Sequence, residues 1–383
     1  MTGHGIPRCN LRLPHLATRV LKSQAATQIV IAPASYTNFI RRHSILCPSP
    51  KVMAHAILIA LAGLGALVAV QFARSTYQFV AFHFFLPTQP LSAYRRPGAA
   101  GTYALVTGSS AGIGLGIAQE LVRQSFNIIL HGYLADELAE AAATLREIAP
   151  TAKVQTLILD ASKATPTQME AAVASLAGLP LFVLVNNVGG NACALPPLRP
   201  LATYSLADVD AVVNQNALFM ARLTALVLPL LARRRPEALP GTERSLVLTV
   251  SSAGRVGVPW IVTYGASKAF NWALSVGLAR ELPEDPRTAH IDALCVVPGE
   301  VRSQGNSQGV PLREPAWDEF GRNIVWKADT AIGFGWREMM PHWRHHLELA
   351  LLDRLPESIR TVGVMDQIRV KKEAWDKYYS KNR

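Results

Sequence analysis

Acidic residues are absent from the start of this chain, where no Asp or Glu precedes Glu120. Cysteine is scarce as well. Cys9, Cys47, Cys193 and Cys295 lie far apart with no paired or metal-ligand spacing, which excludes a disulfide framework and a structural zinc and points to a reducing compartment. Charge is thin: 17% of the 383 residues are charged and 50% are hydrophobic, so one large domain with apolar appendages fits better than two domains. No internal repeat stands out. The net charge of +11 would suit nucleic acid, an anionic membrane or an anionic substrate. Nucleic acid fits worst, because the basic residues are not interleaved with aromatics on one element and no reading module is present.

Within residues 1–51, seven basic residues (Arg8, Arg12, Arg19, Lys22, Arg41, Arg42, Lys51) stand among Ser, Thr, Ala and Pro. This composition matches an organelle transit peptide, and equally a basic tail beside a membrane or an extension upstream of Met53. From Val52 to Ala73 no formally charged residue occurs, and the stretch is long enough to cross a hydrocarbon core as a transmembrane helix. Ser75 to Leu86 is aromatic and too short to cross, so an interfacial or re-entrant place is expected. Basic residues flank the span on both sides (Arg41, Arg42 and Lys51; Arg74, Arg95 and Arg96) and leave its orientation undetermined. Pro87 to Gly101 reads as a linker.

Beyond it, apolar runs alternate with helical patterns. Strands are expected at Tyr103–Val106, Asn127–His131, Val154–Leu159, Leu181–Val185, Leu246–Val250 and Ile291–Val297. Helices are expected at Asp136–Ile148, Thr167–Leu176, about Leu206–Leu231 and Thr263–Leu282. Strands apolar on both faces, alternating with helices, define an α/β fold with a doubly wound parallel sheet. Arg233 to Arg244 reads as a surface loop. The amphipathic tail Trp317–Arg383, with Trp326, Trp336 and Trp343 and the basic Arg369, Lys371 and Lys372, is either a substrate lid touching the membrane or a capping helix pair. The expected organisation is therefore a basic extension (1–51), a membrane helix and linker (52–100), a catalytic domain (101–303) and a C-terminal lid (304–383).

The stretch TGSSAGIG, Thr107 to Gly114, sits between a strand and a helix, as in the first βα unit of a dinucleotide-binding (Rossmann) fold. Gly108 permits the tight strand exit, Gly112 lets a pyrophosphate approach the backbone, and Gly114 lets the helix pack closely. Tyr264 and Lys268 stand at i and i+4 on one helix face. A fixed cation within about 4–6 Å of a phenol favours the phenolate, making the tyrosine useful in trading a proton with a carbonyl or carbinol oxygen. Ser251 and Ser252 close a strand at the edge where open α/β sheets bind ligands, and Asn186-Asn187-Val188-Gly189-Gly190 ends another there. Asn216 lies in the long helix before the serine strand. Asp160 ends the strand LILD, where it serves either a ligand or the next turn as an N-cap.

TGSSAGIG, NNVG, a serine thirteen residues before Tyr264, YGASK and Pro298-Gly299 together resemble the short-chain dehydrogenase/reductase family over about Gly101 to Ser303. The resemblance implies Tyr264 as general acid in reduction, Lys268 as the group that lowers its pKa and holds the nicotinamide ribose, a serine that polarises the carbonyl, and Asn216 as holder of a proton-relay water. It further implies cofactor contacts from Gly108, Ser110, Gly112, Ile113, Gly114, Asp160 (to the adenine), Asn187, Gly189, Tyr264, Lys268, Pro298 and Val301. Spacing picks Ser251, whereas similarity of the strand places the role on Ser252 if the loop is one residue short.

The N-terminal span, the lead-in LSAYRRPGAAGTYALVTG, NNVG and the paired Asn214-Gln215-Asn216 resemble the membrane-bound very-long-chain 3-oxoacyl-CoA reductases and their 17-beta-hydroxysteroid dehydrogenase relatives. That resemblance implies an NADPH-dependent ketone reductase of fatty-acid elongation. It would sit in the endoplasmic reticulum membrane with its catalytic domain towards the cytosol; a mitochondrial membrane is the alternative. A homodimer is the family expectation. There are departures: Ala111 replaces an acidic residue, Tyr133 stands where an Arg often holds a 2′-phosphate, no acid ends the second strand, and Ser303 replaces a Thr. They keep open a reductase of steroids or other lipophilic metabolites, and a catalytically idle cofactor-binding partner in a membrane complex. The terminal SKNR carries one of the two lysines of a retrieval signal.

Overall fold

The structure is a computed structural model that describes residues 49–85, 91–95, 101–233, 244–251 and 257–381. Most of the basic extension and of the linker, the interior of the 233–244 loop, Ser252 and the last two residues lie outside the described part. The chain divides into two units, Met1–Val70 and Gln71–Arg383.

Helix α1 (Pro50–Val80) starts in the first unit and has no buried side chain along its length. With the π-helical turn Ala81–Phe85 it forms one stretch long and apolar enough to cross a membrane. The aromatic segment for which an interfacial or re-entrant place is expected continues the same helix. Its end belongs to the second unit, where Phe82 packs on Trp336 and His83 meets His346 at 3.0 Å.

The second unit is a seven-stranded parallel sheet in the order β3-β2-β1-β4-β5-β6-β7. Its strands are β1 (Thr102–Thr107), β2 (Phe126–Gly132), β3 (Val154–Ile158), β4 (Leu181–Asn186), β5 (Ser245–Val250), β6 (Ile291–Val296) and β7 (Glu338–Met339). Every residue of β1, β2, β4 and β5 is buried, which requires helices on both faces. Alternation along β1 divides the core. Ala104 and Val106 face Ile117 and Leu121 of helix α2 (Gly112–Arg123) and Leu138 of helix α3 (Ala135–Ile148). Tyr103 and Leu105 face Met169 of helix α4 (Pro166–Ala174) and the far side of the sheet.

The expected long helix is α5 (Leu206–Val213) and α6 (Phe219–Leu231), joined by a π-helical turn, Asn214–Leu218, that carries the buried Asn216. Such single π turns concentrate at functional sites. Although α5 and α6 together are apolar enough to cross a membrane, α6 buries Phe219, Leu223 and Val227 in the core. Helix α7 (Val262–Glu281) carries Tyr264 and Lys268. Chain order reverses between β1 and β4, so the ligand crevice of this sheet type opens at their carboxyl ends.

Packing does not break at residue 303. Helix α8 (Trp317–Gly333) buries Phe320, Ile324, Val325 and Ala328 in the same core as α2, and β7 pairs with β6. The front of the tail is therefore an integral layer of the domain and not a lid. Only α9 (Trp343–Leu352) and α10 (Glu357–Lys381) remain peripheral. The α2–α8 crossing is made by glycine on glycine: a Cβ on Gly321 would stand 2.5 Å from the backbone carbon of Gly116. Gly321→Ala is expected to lower the unfolding free energy by about 1–3 kcal/mol through overpacking. Gly277→Ala, in open space on α7, should raise it by up to about 1 kcal/mol. Denaturant midpoints of the two variants check both signs.

Candidate active site

Three sequence segments meet at the carboxyl edge of the sheet: the glycine turn after β1, the NNVGG turn after β4, and the first turns of α7. Thr107 ties the first two together. Its Oγ1 accepts the N–H groups of Asn187 (2.8 Å) and Val188 (3.0 Å) and donates to the carbonyl of Val185. Asn187 answers through Nδ2, which donates to the carbonyls of Thr107 and Gly108 at 2.9 and 3.0 Å. Beneath the turn, His131 is buried and stacks on Phe219, and its Nδ1 accepts the Gly108 N–H at 3.3 Å. Burial pushes this imidazole down to about 4, so it is neutral at physiological pH.

The glycines behave as their positions demand. Gly108 and Gly112 have φ of +60° and +59°, a region costly for other residues. Gly114 lies so close to the Gly108 carbonyl that its Cβ would fall 2.2 Å away. Helix α2 begins at Ala111 with no side-chain cap and no acid in its first turn. By contrast, α4 and α5 carry full capping boxes, Thr165/Gln168 and Ser205/Asp208. A helix start with uncapped N–H groups, reached by an open main chain at Gly112, fits a pyrophosphate.

On α7, Lys268 is 4% exposed and reaches inward past the half-buried Tyr264, its Nζ 5.7 Å from the phenol ring centre. The ammonium lies 3.5 Å from the Val250 carbonyl. It also converges with Asn216 over Gly189, where an added Cβ would stand 2.6 Å from Lys268 Nζ and 2.8 Å from Asn216 Oδ1. Asn216 itself is fully buried, and its amide binds both main-chain groups of Gly190 and the carbonyl of Val212. Its own carbonyl accepts from Asn271 at 2.7 Å. The amide head is thus committed to positioning the NNVGG turn.

Ser251 is 1% exposed and donates its hydroxyl proton to the Lys268 carbonyl at 2.7 Å. That hydrogen bond fastens β5 to α7 at the serine picked by the thirteen-residue spacing, and a substrate oxygen would have to compete for the same proton. Ser252 lies outside the described residues. Asp160 receives both the N–H and the hydroxyl of Ser162, the turn-capping alternative, at 2.9 and 2.7 Å. Ser110 donates to Glu137 at 2.9 Å. Ile113 and Val301 pack against the core beside the turn, Val301 is 3% exposed, and its carbonyl accepts from Asn306 Nδ2 at 3.0 Å.

The sequence held no signal for the clamp on Pro298-Gly299. The Gly299 N–H donates to Nδ1 of His345 on α9 at 3.1 Å. Glu300 takes both Lys371 contacts from α10, at 2.9 and 2.8 Å. Burial acts to raise the Glu300 carboxyl, but Lys371 and Asn306 outweigh it and hold it below the usual range. Both helices therefore reach back to the loop after β6.

A phenol beside a buried ammonium, at the switch point of a parallel sheet and next to a phosphate-ready glycine turn, defines a dinucleotide-dependent oxidoreductase. The chain belongs to the short chain dehydrogenase family, whose model matches residues 102–311, more than half of its length. It is an NAD(P)-dependent dehydrogenase/reductase. A curated relative from Mycosarcoma maydis named very-long-chain 3-oxoacyl-CoA reductase is 31% identical over 62% of this chain, and the chain spans 65% of that relative's length. A 3-oxoacyl-[acyl-carrier protein] reductase from Brucella melitensis, solved with NAD, is 25% identical with a TM-score of 0.53, covering 62% of this chain and 94% of its own. A short chain dehydrogenase from Shigella flexneri, solved with NADP, shares the fold at 22% identity and a TM-score of 0.52, covering 63% of this chain and 94% of its own.

Gly189→Ala should lower turnover at least tenfold by displacing the ammonium, and should lower the thermal midpoint as well, because the fixed Asn216 amide oxygen 2.8 Å from the added Cβ cannot move aside as the lysine can; initial rate and thermal midpoint test the two halves. Burial holds Lys268 down at about 8, against the opposing charge of Cys295. In the folded protein the ammonium is therefore lost as pH rises through about 8, whereas the unfolded chain keeps it to about 10.5. Between these values the unfolded state binds more protons, so stability should rise with pH across that window while kcat/KM falls. Parallel pH series of rate and melting temperature measure the opposite slopes.

Proposed function

We propose that this chain is a membrane-anchored reductase of 3-oxoacyl thioesters, of the type that serves fatty-acid elongation. The observation that carries the chemistry is the meeting of Tyr264, Lys268, Asn216 and Gly189 at the edge of β4 and β5. The substrate class rests on the similarity to the very-long-chain 3-oxoacyl-CoA reductase. The anchor rests on the apolar Pro50–Phe85 helix, which would keep the enzyme beside a substrate whose tail lies in the bilayer. The net charge of +11 suits the phosphates of an acyl-CoA. The proposed place is the endoplasmic reticulum membrane with the catalytic unit on the cytosolic side.

A nicotinamide dinucleotide supplies the hydride when bound, and the subfamily resemblance implies NADPH as its reduced form. Gly108, Gly112, Ile113 and Gly114 would hold the pyrophosphate and Ser110 the adenosine ribose. Asp160 would approach the adenine, and Asn187, Gly189, Pro298 and Val301 would line the nicotinamide end through main-chain groups. Tyr264 gives its phenolic proton to the ketone oxygen as that oxygen gains charge, and the Lys268 ammonium favours the phenolate left behind. Lys268 also binds the nicotinamide ribose. The proton is replaced through Lys268 from a water on the main-chain carbonyl of Asn216. Ser252 donates to the substrate oxygen, since at Ser251 that oxygen would have to compete with the Lys268 carbonyl for the proton.

The full chain in lipid nanodiscs, given NADH or NADPH and a 3-oxoacyl-CoA series from short to very long, should oxidise the cofactor and prefer long chains. Tyr264→Phe should lower kcat by about 10²–10⁴-fold with the melting temperature unchanged. Ser252→Ala should lower kcat where Ser251→Ala lowers melting temperature. Turnover of steroid ketones with none of any acyl-CoA would overturn the thioester reading and leave the reductase chemistry standing.

A further inference from the structure

The sequence shows no acid at the end of β2, where a carboxylate about 20 residues past the glycine turn takes the ribose hydroxyls of NAD. Folding brings one to the glycine turn from elsewhere. Glu137, in the first turn of α3 and half-buried, accepts the hydroxyl proton of Ser110 at 2.9 Å. Ser109 beside it faces the other way, donating to the Val106 carbonyl at 2.8 Å. Ser110 is thus the residue of the turn that faces outward towards α3, and Glu137 is fixed against it.

The charges around this corner share one sign. Asp136 and Glu137 both lie in the first turn of α3. No Lys or Arg occurs from Thr102 to Val122 or from Gln124 to Leu145. Arg123 pairs with Glu120 and Arg146 donates to the Val154 carbonyl. His131 is held neutral by burial. Lys163, after β3, stands 3.7 Å from Asp160, and Arg302, beside the Ser303 that lies against Gly112, donates to the Glu314 carbonyl. Tyr133, which follows β2, is 63% exposed and brings a hydroxyl but no charge.

A 2′-phosphate carries close to two negative charges at neutral pH and needs cations or several donors. Here it would meet a carboxylate and a serine whose single proton is already donated. A 2′-hydroxyl would instead donate to that carboxylate. We infer that Glu137 sets cofactor choice in this chain and favours NADH over NADPH. The inference rests on the nicotinamide-dependent reading and revises the cofactor that the subfamily resemblance implies.

Equilibrium titration of the full-length protein in nanodiscs, following the fluorescence of NADH and of NADPH on binding, tests it without substrate. Wild type should bind NADH at least tenfold more tightly than NADPH. Glu137→Gln should narrow that ratio at least tenfold and Glu137→Lys should invert it, with melting temperatures near wild type because the residue sits on a surface turn. Ser110→Ala, which leaves the carboxylate in place, should keep the NADH preference. Wild type binding NADPH as tightly as NADH, a ratio unmoved in Glu137→Gln, or a preference lost in Ser110→Ala would each overturn the assignment. Failure of wild type to bind either cofactor would overturn the oxidoreductase reading itself.

Discussion

A lysine that is 4% exposed must be held in place by what surrounds it, and Lys268 is the point on which this site depends. Burying an ammonium is unfavourable unless polar groups meet it. Here the Val250 carbonyl, the Asn216 amide oxygen and the open space over Gly189 provide that environment. The same burial draws its pKa towards neutrality, so the ammonium beside Tyr264 is itself close to titrating. Strand β5, the π turn after α5 and the NNVGG turn are all arranged around one side chain. Asn216 orders that turn through Gly190, and Ser251 fastens β5 to α7 from behind.

A second constraint governs how the glycine turn is carried. It is roofed by Asn187, tied through Thr107 and supported from below by a neutral His131. None of these contacts uses the N–H groups at the start of α2, which stay available for phosphate because Ala111 offers no cap. Behind the helix, Gly116 and Gly321 let α8 press directly on α2. The tail of the chain thus helps to fix the nucleotide site at its front. Lys371 and His345 extend the same logic to the loop after β6.

Much of this was legible in the sequence, and the reason is range. The glycine turn, the Tyr264–Lys268 pair and the continuous apolar strands are local patterns, and period and spacing report local geometry directly. The double-sided sheet follows from strands with no polar face. The membrane-length helix follows from its uncharged run. Asn216, an ordinary amide by its surroundings in sequence, is assigned to the site by the family resemblance alone.

What spacing could not decide was where the Ser251 hydroxyl points, since strand residues alternate faces and a one-residue change of register exchanges them. Nor could it show that α8 and β7 complete the core, because two-residue strands and glycine crossings leave no periodic trace. The sequence by itself determined the fold class, the family and the proton-handling pair. The tertiary structure alone decided which hydroxyl is occupied, how the tail is built in, and that Glu137 stands against Ser110. Those are contacts between residues distant in the chain, and only packing brings them within hydrogen-bonding range.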